Sequence, residues 1–255
     1  MNKNDFINIF NVEDKIYISQ LYDKYILAEK TGASICTNEF YPPNIWSKLD
    51  SKDGFLGVEI KSLGGFKDSE RRIVVFNYDE YTELPYTILK IKCKTKFYKP
   101  THKDYLGAIM GIGIKREKFG DLIIVGDTGY VATFNEIAEF IASNLSIIGK
   151  APCTIENVLD EEDMPSISFE EEQKLTTSMR IDCVVSSLTG LSRGDSEKYI
   201  KEGLVLLNYS VLREKSKVVE KDDVVTIRRY GKFKIGDVVG KSSKGRIRFL
   251  SMKYT

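Results

Sequence analysis

The sequence is poor in the side chains that most catalytic chemistry needs: one histidine, one tryptophan and four scattered cysteines in 255 residues. With His102 as the sole imidazole, Ser/His/Asp and Cys/His nucleophilic machinery is excluded unless His102 itself is the base. Cys36, Cys93, Cys153 and Cys183 stand 57, 60 and 30 residues apart, without the close spacing of a zinc knuckle or a redox dithiol. Reduced, buried thiols are expected, with no metal, no cofactor and no catalytic residue. The longest apolar run, Leu106 to Ile114, is nine residues with three glycines. A membrane span needs roughly 20, so no membrane insertion is expected. No apolar core follows the charged amino terminus, so a secretory signal is not expected and the address reads as cytoplasmic. No Walker sequence is present. Gly107, Gly111 and Gly113 end a helix rather than follow a strand, so the dinucleotide fingerprint fails too.

What the chain does have is core-forming material, 42% hydrophobic against 29% charged, at a length suited to two or three small domains. Its net charge of +1 conceals a division. Residues 1–155 carry 20 basic and 20 acidic side chains; residues 156–172 carry eight acids and no base; residues 173–255 carry 18 bases against 9 acids. A basic carboxy-terminal module of this kind is the electrostatic footprint of a polyanion binder. The acidic stretch around Pro165 reads as a linker.

Periodicity sets out the elements. Ile16, Leu21, Tyr25 and Ile26 mark a helical face before Gly32, and Pro42-Pro43 opens a short helix with Ile45, Trp46 and Leu49. Phe55–Ile60 and Arg72–Phe76 read as strands around a Gly64-Gly65 turn. The middle part gives a strand at Tyr86–Lys96 and a helix from Thr101 with capping-box spacing to Asp104. Strands at Asp121–Val125 and Tyr130–Phe134 follow, then a helix at Glu136–Leu145 with Ile137, Phe140, Ile141 and Leu145 on one side. A strand at Cys153–Val158 closes the set. That β-α-β-β-α-β order is ferredoxin-like and RRM-like. Further on, Ser178–Leu188 reads as a helix, and a second runs from the Ser192 cap, with Asp195 three residues on, to an exit at Gly203. Strands follow at Leu204–Leu207, Val211–Leu212, Val224–Arg229, Phe233–Val239 and Arg246–Leu250.

Arg193 falls in the first turn of that second helix, where free N–H groups favour an anion. Lys201, eight residues later, lies about 80° around the helix, so the two cations are expected to share one broad face. Asn208 at the following hairpin tip offers a donor and an acceptor, and Arg228, Arg229 and Lys232 extend the positive surface. A solvated basic face without a ligand is the competing account.

The segment Met-Arg180-Ile-Asp182, Leu191-Ser192-Arg193, Ile200-Lys-Glu-Gly203-Leu-Val205-Leu-Leu-Asn208 and Lys221-Asp-Asp223-Val-Val225 resembles an S4 RNA-binding domain. The resemblance implies that Arg180, Asp182, Ser192, Arg193, Ser196, Lys201 and Asn208 lie on or beside an RNA-facing surface. Tyr209 departs from the pattern, which has Gly after the Asn; a type I′ turn needs positive φ at both central residues. Gly64-Gly65-Phe66 with Ser69-Glu70-Arg71-Arg72, the run from His102 to Asp121, and the tail Gly231-Lys-Phe-Lys-Ile with Gly240-Lys-Ser-Ser-Lys-Gly245-Arg-Ile-Arg248 are similar to the YlmH family. That likeness implies a bacterial RNA-binding protein linked to the large ribosomal subunit, with tRNA nearby, to rescue of stalled nascent chains and to cell division. The expected architecture is α+β and multidomain. It comprises a small α/β domain at 1–80, an RRM-like domain at 81–160, an acidic linker at 161–177 and an S4 domain with a strand extension at 178–255, in a monomer.

Two features of the middle part stand apart from the resemblance. Lys90, Lys92, Lys94 and Lys96 alternate with apolar residues, so period two puts all four on one sheet face, RNA-facing or merely solvated. Lys115 and Arg116 follow the helix and form a second basic candidate. The RRM aromatic signature is absent, so base stacking of the usual RRM kind is not expected. Three functions remain open: a non-catalytic adaptor on ribosomal RNA, an RNA-modifying enzyme of the pseudouridine synthase or methyltransferase kind, and a cell-division scaffold. Arg180-Ile-Asp182 superficially matches the Arg-x-Asp around a pseudouridine synthase's catalytic Asp.

Overall fold

A computed structural model describes residues 2–10, 15–50, 57–94, 98–158, 164–165 and 169–254. The chain forms two compact units, Met1–Ile167 and Ser168–Thr255, of mixed α/β structure.

The first unit opens with helices α1 (Lys3–Ile9) and α2 (Lys15–Thr31), then the short strand β1 (Ile35–Cys36) and helix α3 (Pro43–Asp50). Pro43 suits the first helical position, where no N–H is required. β2 (Ile60–Leu63) and β3 (Ile73–Phe76) complete a three-stranded antiparallel sheet ordered β1-β3-β2. The helices bury Phe6, Ile18, Leu21, Tyr25, Ile45, Trp46 and Leu49 against Val74 and Phe76. β2 begins five residues later than the expected strand, whose start at 55–56 lies outside the described residues.

The chain then runs through β4 (Tyr86–Cys93), α4 (His102–Gly111), β5 (Phe119–Val125), β6 (Thr128–Phe134), α5 (Asn135–Asn144), the two-residue β7 (Ile147–Ile148) and β8 (Ala151–Asn157). The sheet is antiparallel throughout, in the order β5-β6-β4-β8-β7. α4 starts where the Asp104 carboxylate accepts both the Thr101 N–H and the Thr101 hydroxyl, each at 2.7 Å. α4 and α5 cover one sheet face, burying Tyr105, Ile109 and Ile141 on Leu89, Ile91 and Val131. Phe140, expected on the packed side of α5, is 44% exposed, because the buried stripe is Ala138, Ile141 and Leu145.

The other face of this sheet is partly covered by the amino-terminal layer. Phe40, Phe66, Ile73 and Val75 form a common core with Ile88, Ala132 and Phe134. Each fully buried side chain of this size contributes about 1.5–3 kcal/mol of apolar transfer before entropy is counted. Approach is close enough that a Cβ on Gly65 would lie 2.4 Å from Ala132 Cβ and 2.6 Å from Ile88 Cδ1. Asp121 on β5 accepts the backbone N–H groups of Glu70 at 2.5 Å and Arg71 at 3.2 Å, tying the two sheets together. The boundary expected near residue 80 is therefore not a break between compact units; a shared core crosses it.

The second unit contains β9 (Phe169–Thr176), α6 (Ile181–Thr189), α7 (Arg193–Lys201), β10 (Val205–Leu207), β11 (Ser210–Val211), β12 (Val224–Ile227), β13 (Gly231–Lys241) and β14 (Ile247–Tyr254). The six strands are ordered β11-β10-β12-β13-β14-β9. Val184, Val185, Leu188 and Ile200 of the helices bury Val225, Phe233, Ile235 and Phe249 on one face. The acidic segment expected as a linker at 161–177 is a strand from residue 169 onward. Its eight residues pair with β14, Glu170 opposite Lys253 and Glu172 opposite Ser251, with Lys174 ion-paired to Glu172. A run of carboxylates reads as a loop in isolation, and only the partner strand turns it into sheet.

Candidate nucleic-acid interface

The geometry of the second unit centres on Asp182, a fully buried carboxylate in the first turn of α6. Arg180, at the helix N-cap, donates to it from Nε at 3.1 Å and Nη2 at 3.2 Å, a bidentate pair. Arg193, the first residue of α7, donates to it from Nε at 3.0 Å, with Nη2 in ion-pair contact at 2.9 Å. Burial by itself would raise the Asp182 pKa; the hydrogen bonds from Arg180 and Arg193 outweigh it and hold the carboxyl below the usual range. Both arginine side chains remain partly exposed, 37% for Arg180 and 58% for Arg193. One buried anion thus fixes the orientation of two cations that still face solvent.

The start of α7 is fixed by its own caps. Ser192 Oγ accepts the Asp195 N–H at 3.1 Å and donates to the Asp195 carboxylate at 2.6 Å. Ser196 is buried and donates to the Ser192 carbonyl at 3.0 Å. Asp182 and Ser196 therefore position neighbours rather than present themselves to a ligand.

Arg228, Arg229 and Lys232, expected to extend the positive surface of Arg193 and Lys201, lie on two further surfaces. Arg193 lines a groove of about 400 Å³ with Arg246, Ser186, Ser187, Thr177 and Cys183. Between Arg193 and the exposed Lys201 on α7 stands Glu197, 3.6 Å from Arg193 and 2.8 Å from Lys215. Arg228 and Arg229, in the β12–β13 turn, line a separate groove of about 430 Å³ with Asp195, Lys198, Tyr199 and Glu202. Those α7 positions lie on the side roughly opposite Arg193 by the 100° step of the helix. Lys232 alternates with core residue Phe233 and so points to the sheet face away from the helices, 4.2 Å over the Tyr254 ring.

Asn208 has a structural task. The β10–β11 hairpin turns at Asn208 and Tyr209 with φ of 47° and 65°, the positive pair a type I′ turn requires despite the Tyr. The Asn208 amide donates to Asp223 at 2.7 Å and its oxygen accepts the Val224 N–H at 2.9 Å. Its side chain is committed to the fold.

In the first unit, directly opposed residues set out in rows the part of the central sheet that lies beyond the amino-terminal layer. Ile123, Tyr130, Lys90 and Glu156 form one row; Val125, Thr128, Lys92 and Thr154 form the next. Lys90 is 3.3 Å from Glu156. Lys92 and Lys94 are exposed and without a partner among the described residues. Lys96 lies outside the described residues. Lys115 is exposed, whereas Arg116 is half-buried and donates to the carbonyls of Phe119 at 2.7 Å and Gly120 at 3.0 Å. Burial, then the charge of Arg71, lowers its pKa to about 10. Arg116 braces the loop and is not a free cation.

Comparison with known proteins bears on these surfaces. Residues 80–162 match the family model described as "Putative RNA-binding domain in YlmH". Over 251 residues the chain is 28% identical to "Ribosome-associated protein quality control protein P2" of Bacillus subtilis (strain 168), covering 96% of this chain and 96% of that protein. The chain is similar to the YlmH family. Among solved structures, the "Cell division protein ylmH from Streptococcus pneumoniae" aligns with a TM-score of 0.48 at 22% identity, covering 61% of this chain and 97% of that one. In this chain, sequence reasoning missed Arg246, Lys198 and Lys215 beside the expected cations. Arg246 had a signal in the Gly245-Arg-Ile-Arg248 tail; Lys198 and Lys215 are distinguishable only once α7 has a rotational setting.

Proposed function

We propose that this chain is a non-catalytic RNA-binding protein whose second unit, an S4 module, docks on structured ribosomal RNA of the large subunit, with tRNA nearby. In this reading it acts in the cytoplasm, as a monomer, on ribosomes carrying stalled nascent chains; the first unit contains an RRM-like sheet. The observation that carries the reading is the Asp182 clamp, which pre-orients Arg180 and Arg193 at the surface without neutralising their access to phosphate. Pre-organised cations lose less side-chain entropy on binding than free ones. The family model's description and the ribosome-associated relative support the same partner.

The enzyme alternative needs a reactive acid, and Asp182 is buried under two arginines with its proton affinity lowered. That is a holder of cations, with no exposed atom for a substrate. Co-sedimentation of the full chain with separated ribosomal subunits tests the proposal: the chain should travel with the large subunit at low salt and release as salt rises. Failure to sediment with either subunit in dilute buffer would overturn it. Loss of a modified nucleotide from RNA of cells lacking the protein would overturn the non-catalytic assignment.

A further inference from the structure

We infer that the uncovered strip of the central sheet is a second RNA site, one that takes a short single-stranded segment by stacking one base on Tyr130 and seating flanking phosphates on Lys92 and Lys94. It lies in the other unit from the Arg180–Asp182–Arg193 clamp and shares no residue with it, so the two readings stand or fall separately.

The argument starts from strand parity. On β6, Val131 faces the helices, while Tyr130, Ala132 and Phe134 share the opposite face. The amino-terminal layer closes the end of that face holding Ala132, Phe134 and Ile88, and Gly65 sits directly on it. Phe134 is therefore packed against that layer, and among the described residues of β6 Tyr130 is the aromatic left at the open end. It is half-buried, and its hydroxyl has no hydrogen-bond partner among the described residues. Ile123 and Lys90 stand directly beside it, and Lys90 is held by Glu156. Tyr130 and Ile123 both pack against the core beneath, which supports the ring from within the sheet. In the next row come Lys92 and the exposed Val125, followed by Lys94 opposite Pro152, whose carbonyl accepts the Lys94 N–H at 2.8 Å. Among the described residues, the acids at the rim are Glu156, already paired, and Asp127, in the turn before Thr128.

An aromatic face with two unneutralised ammonium groups along the same strand direction matches a single strand, whose bases are free to leave the stack. A duplex keeps its bases inside and offers Tyr130 nothing to stack on. Because the amino-terminal layer blocks the strip at one end, the site has one stacking position, and base contact beyond a single nucleotide is closed off.

The test uses the full chain and a uridine hexamer containing 4-thiouridine. Photocrosslinking followed by peptide mapping should place the adduct on the strand containing Tyr130. Tyr130→Leu should weaken hexamer binding about tenfold, and Tyr130→Phe, which keeps the ring, should bind as the parent does. Replacing Lys92 and Lys94 together by Gln should lower the salt slope by about 1.4. Arg193→Ala should leave hexamer binding unchanged while weakening binding to ribosomal RNA. Adducts confined to residues 169–254, or equal hexamer affinity for parent and both the Tyr130→Leu and double Gln variants, would overturn the site. Should Tyr130→Leu fail to fold, the double Gln variant and the crosslink map decide.

Discussion

Replacing Asp182 by Asn separates two accounts of the basic module. If the cations act as a diffuse cloud, removing a negative charge from among them tightens RNA binding. If Asp182 orients Arg180 and Arg193, its loss weakens binding although the net charge rises by one. The structural effect comes first. Asp182 is fully buried and accepts from both guanidiniums, while Arg180 and Arg193 keep 37% and 58% exposure. Hydrogen bonds to a charged group are worth about 1.5–3 kcal/mol, and stranding a buried partner costs about 3–5 kcal/mol. Both arginines can turn to water, so about 2–3 kcal/mol is the reasonable loss, or roughly 10–20 °C for a unit of this size. Amide hydrogen exchange over α6 and α7 reads it locally, which matters because Trp46, the chain's one tryptophan, lies in the other unit. The pH dependence has a definite sign. With its folded pKa lowered, Asp182 contributes stability above the unfolded carboxylate value of about 3.9 and loses it as pH falls through the lower folded value. The gap between parent and variant should therefore be constant from neutrality to about pH 5 and close in stronger acid. For RNA, two freed arginines lose about 0.5–1.5 kcal/mol each in ordering, which the gained charge partly offsets, leaving about tenfold weaker binding. Unchanged exchange in α6 and α7, together with equal or tighter binding to ribosomal RNA, would refute the clamp.

Arg193→Ala should lower the salt slope of ribosomal RNA binding by about 0.9, measured by equilibrium binding across a salt series. Gly65→Ala should destabilise the first unit by about 1–3 kcal/mol, because its methyl meets Ala132 and Ile88; Trp46 fluorescence in denaturant would follow it. Asn208→Ala should cost about 2–3 kcal/mol, from positive φ and two lost hydrogen bonds, while affinity per folded molecule stays the same in active-site-free titrations corrected for the folded fraction.

Local signals were legible where a few adjacent residues determine the outcome. Ser192 with Asp195, Thr101 with Asp104, and the buried trio Ile45, Trp46 and Leu49 all formed the caps and the helix face that their spacing implies. Long-range outcomes were not. Nothing near Gly65 announces that it rests on Ala132, and nothing near Glu170 announces Lys253 as its opposite. In the second unit the residue types pointed to a cationic surface, but its division among three faces depends on the roll of α7 and on which side of β13 Lys232 emerges. Asn208 is the instructive case: an amide at a hairpin tip suits a ligand and a turn equally well, and Asp223, fifteen residues away, takes it.

The carboxylates of β9 have a consequence for traffic over the second unit. An outermost strand ordinarily offers its unpaired backbone to any passing chain, and charge along it is a common deterrent. Here Glu170, Glu171 and Glu172 stand exposed along the rim of a unit otherwise rich in lysine and arginine. A second copy approaching rim to rim meets its own sign, and so does a phosphodiester strand straying that way. Charge of this kind disfavours rim-to-rim pairing of two sheets and disfavours a phosphate backbone along the same rim.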